Sequence, residues 1–295
     1  MKEKPFSKYQ ILANAVMIIW TLAIILPFIL LFMSSITDEN TLVANGYSFF
    51  PKKFSLASYS YIIKSGGQIL KAYGVSIGVT VVGTLLNVLL SALMAYPLSV
   101  KNLPGRNVMM FFVFFTMLFN GGIVPSYIMW TGTFHIKDTI FAQLLPNFLL
   151  SAWNVMMIRT YFTTSIPDGL YEAAEIDGAS QFTIFWKIVL PLGKPILVTM
   201  GTFAGLAYWN DWTNGLYYIV KNTGLYNVQN LLNQMVQNIQ FLTQSSNSNV
   251  TAAASTIPAT GIQMAIAFVA ILPIMLIFPS FQKYYAKGIA LGAVS

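Results

Sequence analysis

Nine carboxylates serve the 295 residues of this chain, and four of them, Asp168, Glu172, Glu175 and Asp177, fall within ten consecutive positions. Clustered carboxylates suit acid–base catalysis, metal binding or charge-mediated docking. The first two need companions that this chain does not supply. It has one histidine, His135, and no cysteine, which excludes disulfides, thiolate metal sites and a cysteine nucleophile. Neither a His-Glu-x-x-His motif nor a P-loop occurs; Gly193-Lys194 runs into Pro195 and lacks the upstream glycine. His135 reads better as a surface residue than as a ligand or base. No catalytic residue, metal site or cofactor is therefore expected, which leaves the acids as a docking surface or as a capped, solvated loop.

The elements that must hold these acids are hydrophobic. The chain is 56 % hydrophobic and 8 % charged, against about 25 % charged for a soluble domain. Apolar runs of about 20 residues match a bilayer core of about 30 Å. The pattern predicts an all-α integral membrane protein with six transmembrane helices, at 11–32, 73–100, from 108, 140–162, 195–209 and 261–281. Residues 1–10 form an N-terminal tail on the cytoplasmic side and 283–295 a C-terminal one. The first run is too long for a signal-peptide core and lacks a cleavage site, so it reads as a retained span.

Charge supports this topology. Ten of the 16 basic residues fall in the segments assigned inside and six in the longer outer connections, the bias that orients membrane proteins. The net charge of +7 is not gathered into a basic face, so no nucleic-acid partner is expected. No span carries an acid in its interior; Asp211, at the outer end of the fifth, comes nearest. Ion-coupled carriers depend on such acids, which points to energy from another subunit.

Three connections face outward. Asn120, Gly121, Gly122 and Pro125 should break the third span. In the last connection Val228, Leu231, Leu232, Met235, Val236, Ile239 and Leu242 recur at helical spacing, with Asn227, Asn230, Asn233, Gln234, Gln237 and Asn238 as a neutral polar face. The segment 243–256 reads as a flexible linker containing an Asn249-Val250-Thr251 glycosylation sequon, a weak signal in such a loop.

The acidic segment lies between spans four and five, on the inner side. Pro167 suits a first helical turn, and Asp168, Glu172 and Glu175 follow where a helix dipole favours acids. Gly178 suits a left-handed stop, Ser180 a cap for a second helix, and Pro191 the end of that helix. These residues alone are equally well explained by a capped loop with solvated acids.

Glu172-Ala173-Ala174, three residues, Gly178, nine residues and Ile188-x-Leu190-Pro191 resemble the EAA loop of ATP-binding-cassette importer permeases with the MetI-like transmembrane domain. "WNDW" at 209–212 and "FQKYYAKGIALGAV" at 281–294 are similar to carbohydrate-uptake permeases of the MalG type, and "FNGGIVPSYIMW" at 119–130 to their LplC-like branch. The resemblance implies a permease domain over 72–282, with the EAA loop at 167–191 acting as a coupling helix in a cleft of a cytoplasmic ATPase. Glu172, Ala173, Ala174, Asp177, Gly178, Ala179, Phe185 and Pro191 are the coupling residues so implied. The implied partners are a second, related permease, two copies of the ATPase, an extracellular solute-binding protein and the lipid bilayer. The chain ends Ala293-Val294-Ser295 where the family commonly has Gly-Ala-Val-Lys-Gly, so contact of the tail with the ATPase is not carried over.

Sugars are held by aromatic faces and by hydrogen-bonding groups of the kinds found at Trp209, Asn210, Asp211, Trp212 and Asn214, where the fifth span meets the outer loop. Tyr127, Trp130, Tyr217 and Tyr218 could add to them. For any single one of these, an aromatic interface belt or packing is the better account than a ligand contact, although Asp211 and Asn210 are harder to dismiss as belt residues. The sugar expectation rests on the "WNDW" and C-terminal segments. The EAA loop alone fits importers of peptides, amino acids or polyamines too, and a membrane enzyme or scaffold is the reading from another class.

Overall fold

A computed structural model describes residues 8–64, 66–244 and 259–292. Residues 1–7, most of the predicted linker with its sequon, and 293–295 lie outside the described residues. Among those described, every regular element is helical, apart from an isolated bridge between Thr37 and Phe54. The chain divides into two compact units, residues 1–69 with 232–273, and residues 70–231 with 274–295.

The first unit begins with α1, Lys8–Ser35. Every side chain from Tyr9 to Ile29 is exposed, and so uniformly apolar a surface is stable against lipid or another apolar chain, not water. Short helices α2, Glu39–Asn45, and α3, Ala57–Lys64, follow. Both carboxylate oxygens of Glu39 accept backbone N–H groups at 2.8 Å, one from Thr260 and one from Gly261. That bidentate cap sits at the start of the last helix, Ala259–Gly292, where unpaired amides and the helix dipole both favour an anion.

The second unit is built on α4, Gly66–Ser99, which starts seven residues earlier than the predicted span at Tyr73. Next come α5, Arg106–Leu118, and α6, Ile123–Ile128, continued by a wide turn at Met129–Thr133. The chain bends by 110° between them, at the predicted break, where Gly122 takes a φ of 86°. Helices α1 and α4 are each long and apolar enough to cross a membrane, and up to four spans result if each sharply bent helix pair counts as one.

The expectation of a continuous helix over 140–162 is corrected. The structure has α7, Phe141–Leu144, then irregular chain, then α8, Ala152–Ser165. Pro146 has no N–H to donate, and Asn147 takes a left-handed φ of 68°. Open backbone among apolar helices needs partners from the protein itself. Tyr208 donates to the Leu144 carbonyl (2.9 Å), Asn214 to Pro146 (3.1 Å) and Asn87 to Phe148 (2.6 Å). Asn154 in turn donates to the Asn87 side-chain oxygen at 2.7 Å. Replacing Asn87 by leucine should strip partners from Phe148 and Asn154 together, costing about 1–3 kcal/mol for each group left buried and unpaired. A lower thermal-unfolding midpoint in detergent is the expected result, with the glutamine variant falling between.

Beyond α8 come α9, Asp168–Ile176, α10, Gln181–Leu192, α11, Lys194–Asn210, α12, Thr213–Tyr218, and α13, Val228–Gln244. Helix α11 matches the predicted fifth span within a residue. Helix α13 follows the predicted apolar stripe, with Val228, Leu231 and Leu232 buried. Two residues of its expected polar face, Asn227 and Asn230, are buried as well. The last helix, α14 (Ala259–Gly292), runs on past 281 through most of the predicted tail.

Candidate functional site

The acidic segment folds as helix, turn, helix. Helix α9 ends in two bonds that satisfy its last carbonyls: Gly178 N–H to Glu175 O at 3.0 Å and Ala179 N–H to Ala174 O at 2.9 Å. The pattern requires a left-handed residue after the helix, and Gly178 supplies it with a φ of 76°. Ser180 then caps α10, its hydroxyl accepting from Thr183 N–H. Pro191 does not end α10, contrary to expectation. The helix widens over Phe185–Val189 ahead of the proline, passes through it and stops at Leu192. A π-type turn absorbs the missing N–H and the bulk of the ring.

One face of this loop is locked into the second unit. Ala174, Ile184, Phe185 and Val189 are buried with Leu98, Ile158 and Phe162. The Tyr96 ring lies 5.4 Å from Phe185, and its hydroxyl donates to Gln181 at 2.5 Å. The other face is free. Glu172, Ala173, Asp177 and Gly178 are exposed, as are Ile176 (86 %) and Phe182 (68 %). Of the eight residues expected to couple, Ala174 and Phe185 therefore hold the loop in place, Ala179 is half-buried, and Pro191 is exposed beyond the turn.

The four acids divide in the same way. Asp168 pairs with Lys101 at 2.5 Å, and Glu175 accepts from Gln181 at 2.7 Å. Glu172 and Asp177 stand on the free face. The apolar knobs Ile176 and Phe182 carry no sequence signal beyond being large hydrophobics.

At the other end of the second unit, "WNDW" separates into inward and outward residues. Trp209 is buried, its ring 6.3 Å from Tyr73, and Asp211 and Asn214 are 5 % and 1 % exposed. Asp211 Oδ1 accepts from Thr213 N–H, Thr213 hydroxyl and Asn214 N–H, capping α12. The Asp211 carbonyl accepts from Asn227 at 2.6 Å and the Trp212 carbonyl from Asn230. Asn210 and the Trp212 ring stay exposed.

Tyr127 and Tyr218 stack with centroids 5.8 Å apart, and Lys137 reaches the Tyr127 hydroxyl. Asp138 pins the neighbouring loop by accepting the N–H groups of Lys221, Asn222 and Val220. Those bonds, Lys221's foremost, hold its carboxyl below the usual range against desolvation, with the Lys137 charge helping. No group of three or more metal-ligating side chains occurs among the described residues.

Residues 72–291 match the family model described as "Binding-protein-dependent transport system inner membrane component". Protein LplC of Bacillus subtilis (strain 168) is 36 % identical, over 92 % of this chain and 89 % of its own. The polygalacturonan/rhamnogalacturonan transport system permease protein YtcP of the same strain is 35 % identical, over 97 % and 98 %. A solved bacterial ABC transporter involved in the import of the acidic polysaccharide alginate contains a similar chain, with a TM-score of 0.79 and 26 % identity over 96 % of this chain and all of that one. A helical chain with an EAA-type loop seated between its helices and relatives of this kind is a membrane-embedded permease, and it belongs to the family of binding-protein-dependent transport system inner membrane components.

Proposed function

We propose that the chain is one half of a heterodimeric importer for a sugar or oligosaccharide, working with a related permease, an extracellular solute-binding protein and two copies of a cytoplasmic ATPase. The observation that carries this reading is the division of the EAA loop into a buried face and a free one. Glu172 and Asp177 meet basic groups of the ATPase, and Ile176 and Phe182 seat against its cleft. Ala173 and Gly178 let the surfaces approach closely, while Ala174, Ala179, Phe185 and Pro191 set the angle of the loop. Both termini are cytoplasmic, six spans cross the membrane, and closure of the ATPase pair rocks them between inward- and outward-facing states.

The cargo assignment draws on the polysaccharides named for YtcP and for the solved alginate importer. At the outer end, Asn210 and Trp212 offer a hydrogen-bonding group and a ring to the cargo. Trp209, Asp211 and Asn214 form the scaffold beneath them. Purification of the chain together with its neighbours should bring down an ATPase, with no ATP hydrolysis by this chain alone. Uptake assays across neutral and acidic oligosaccharides, amino acids and peptides should show transport confined to the sugars. Uptake of a peptide or amino acid instead would overturn the cargo assignment, and failure to recover any ATPase would overturn the coupling.

A further inference from the structure

Near the end of the second unit that carries the EAA loop, two arginines share a small space with no acid to meet them. Arg106 opens α5, and Arg159 lies in α8, the helix on which α5 packs. Their like charges act on one another. Arg159 Nε donates to the Leu98 carbonyl at 3.2 Å, while Arg106 Nε is buried and has no partner. The nearby Lys101 is already matched by Asp168. The ion pairs among the described residues are that one and Lys53–Asp38, so no described acid neutralises either guanidinium. Both side chains are half-buried, and two neighbouring cations drawn partly out of water favour an anion between them. Beside them α5 exposes Val108, Phe111 and Phe112, at 59 %, 59 % and 61 %.

We propose that Arg106 and Arg159 clamp the phosphate of an anionic membrane lipid in the leaflet beside the EAA loop, with its acyl chains lying along α5. A guanidinium fork matches phosphate oxygens in pairs, and basic pockets between membrane helices recognise such headgroups. A soluble anion would satisfy the charges but would leave the phenylalanine face without use. The site rests on the chain's being membrane-embedded and not on docking by Glu172 or on the cargo, so it can fail while those stand.

The test is retention of phosphatidylglycerol by the full chain in mild detergent, read by native mass spectrometry. A photoreactive phosphatidylglycerol in nanodiscs then maps the contacts. Arg106→Gln should lower retention about fivefold, and the double variant with Arg159→Gln further. Arg106→Lys should fall between, and Lys101→Gln should match wild type. Arg106 gives up no hydrogen bond at Nε, so its variants should keep the wild-type unfolding midpoint; if the glutamine variant does not fold, the lysine variant decides. Unchanged retention in the folded Arg106 variant overturns the proposal. So does displacement of the lipid by inorganic phosphate, labelling away from α5 and α8, or cross-linking of the two arginines to a partner protein's carboxylate.

Discussion

Glu172→Lys should abolish uptake while leaving the chain in the membrane at wild-type abundance. Glu172 is exposed, has no hydrogen bond or ion pair among the described residues, and sits on the free face of α9 with Asp177 and Ile176. Its removal therefore disturbs no internal contact. Like charges brought together at an interface cost several kcal/mol, and losing a paired charge costs about 2–5 kcal/mol. At about 1.4 kcal/mol per tenfold, seating of the loop should weaken by a factor of thirty or more by that estimate.

Asp168→Asn is the informative control. It removes an acid four residues from Glu172, but one already paired with Lys101, both side chains being 58 % exposed. Exposed pairs contribute about 0–1 kcal/mol, so uptake should change by less than a few-fold. The measurements are labelled-sugar uptake and transport-dependent ATP hydrolysis in the reconstituted complex, against membrane content by immunoblot. Wild-type uptake in Glu172→Lys would remove the docking role from this acid.

Which acids are free is the part of the loop that sequence alone could not convey. The motif spacing, the glycine stop and the serine cap are local, and each is legible because it depends only on residues within the loop itself. Asp168 is paired by Lys101, 67 residues away, and Glu175 is hydrogen-bonded by a glutamine whose side chain Tyr96 holds. The broken fourth helix fails for a related reason. Residues 140–162 are apolar enough to read as a span, and Pro146 alone would have kinked it. Asn87, Tyr208 and Asn214, which make a full interruption tolerable, lie 61, 64 and 68 residues from the carbonyls they serve. The role of Asp211 is local instead: three of its hydrogen bonds reach only Thr213 and Asn214 and cap the next short helix, which its residue type and its place at a membrane boundary do not announce.

Two glycines, one in the loop and one just beyond it, do different work, and alanine substitutions should separate them. Gly178 has a φ of 76°, and a Cβ there would meet nothing within 4 Å. Gly178→Ala thus carries only the left-handed penalty, about 1–2 kcal/mol, local to the turn between α9 and α10. The expected result is impaired coupling with a near-normal unfolding midpoint. Gly193 has ordinary backbone angles, but it stands at the 79° corner between α10 and α11. A Cβ there would lie 2.6 Å from a Phe162 ring carbon and 2.9 Å from the Val189 carbonyl oxygen. Phe162 is fully buried, and the carbonyl accepts the Gly193 N–H at 2.8 Å, so neither can retreat without opening the corner. Overpacking of a fixed core costs about 1–3 kcal/mol. Gly193→Ala should therefore lower the unfolding midpoint, and Gly193→Val should prevent stable accumulation in the membrane. The corner is also the only covalent route from the loop to α11, so any Gly193→Ala protein that accumulates should couple poorly as well. A paired Phe162→Leu change, which trims the ring that the new methyl strikes, should restore part of the stability lost in Gly193→Ala and none of the coupling lost in Gly178→Ala. Wild-type stability in Gly193→Ala alone would mean that the corner is looser than its contacts imply.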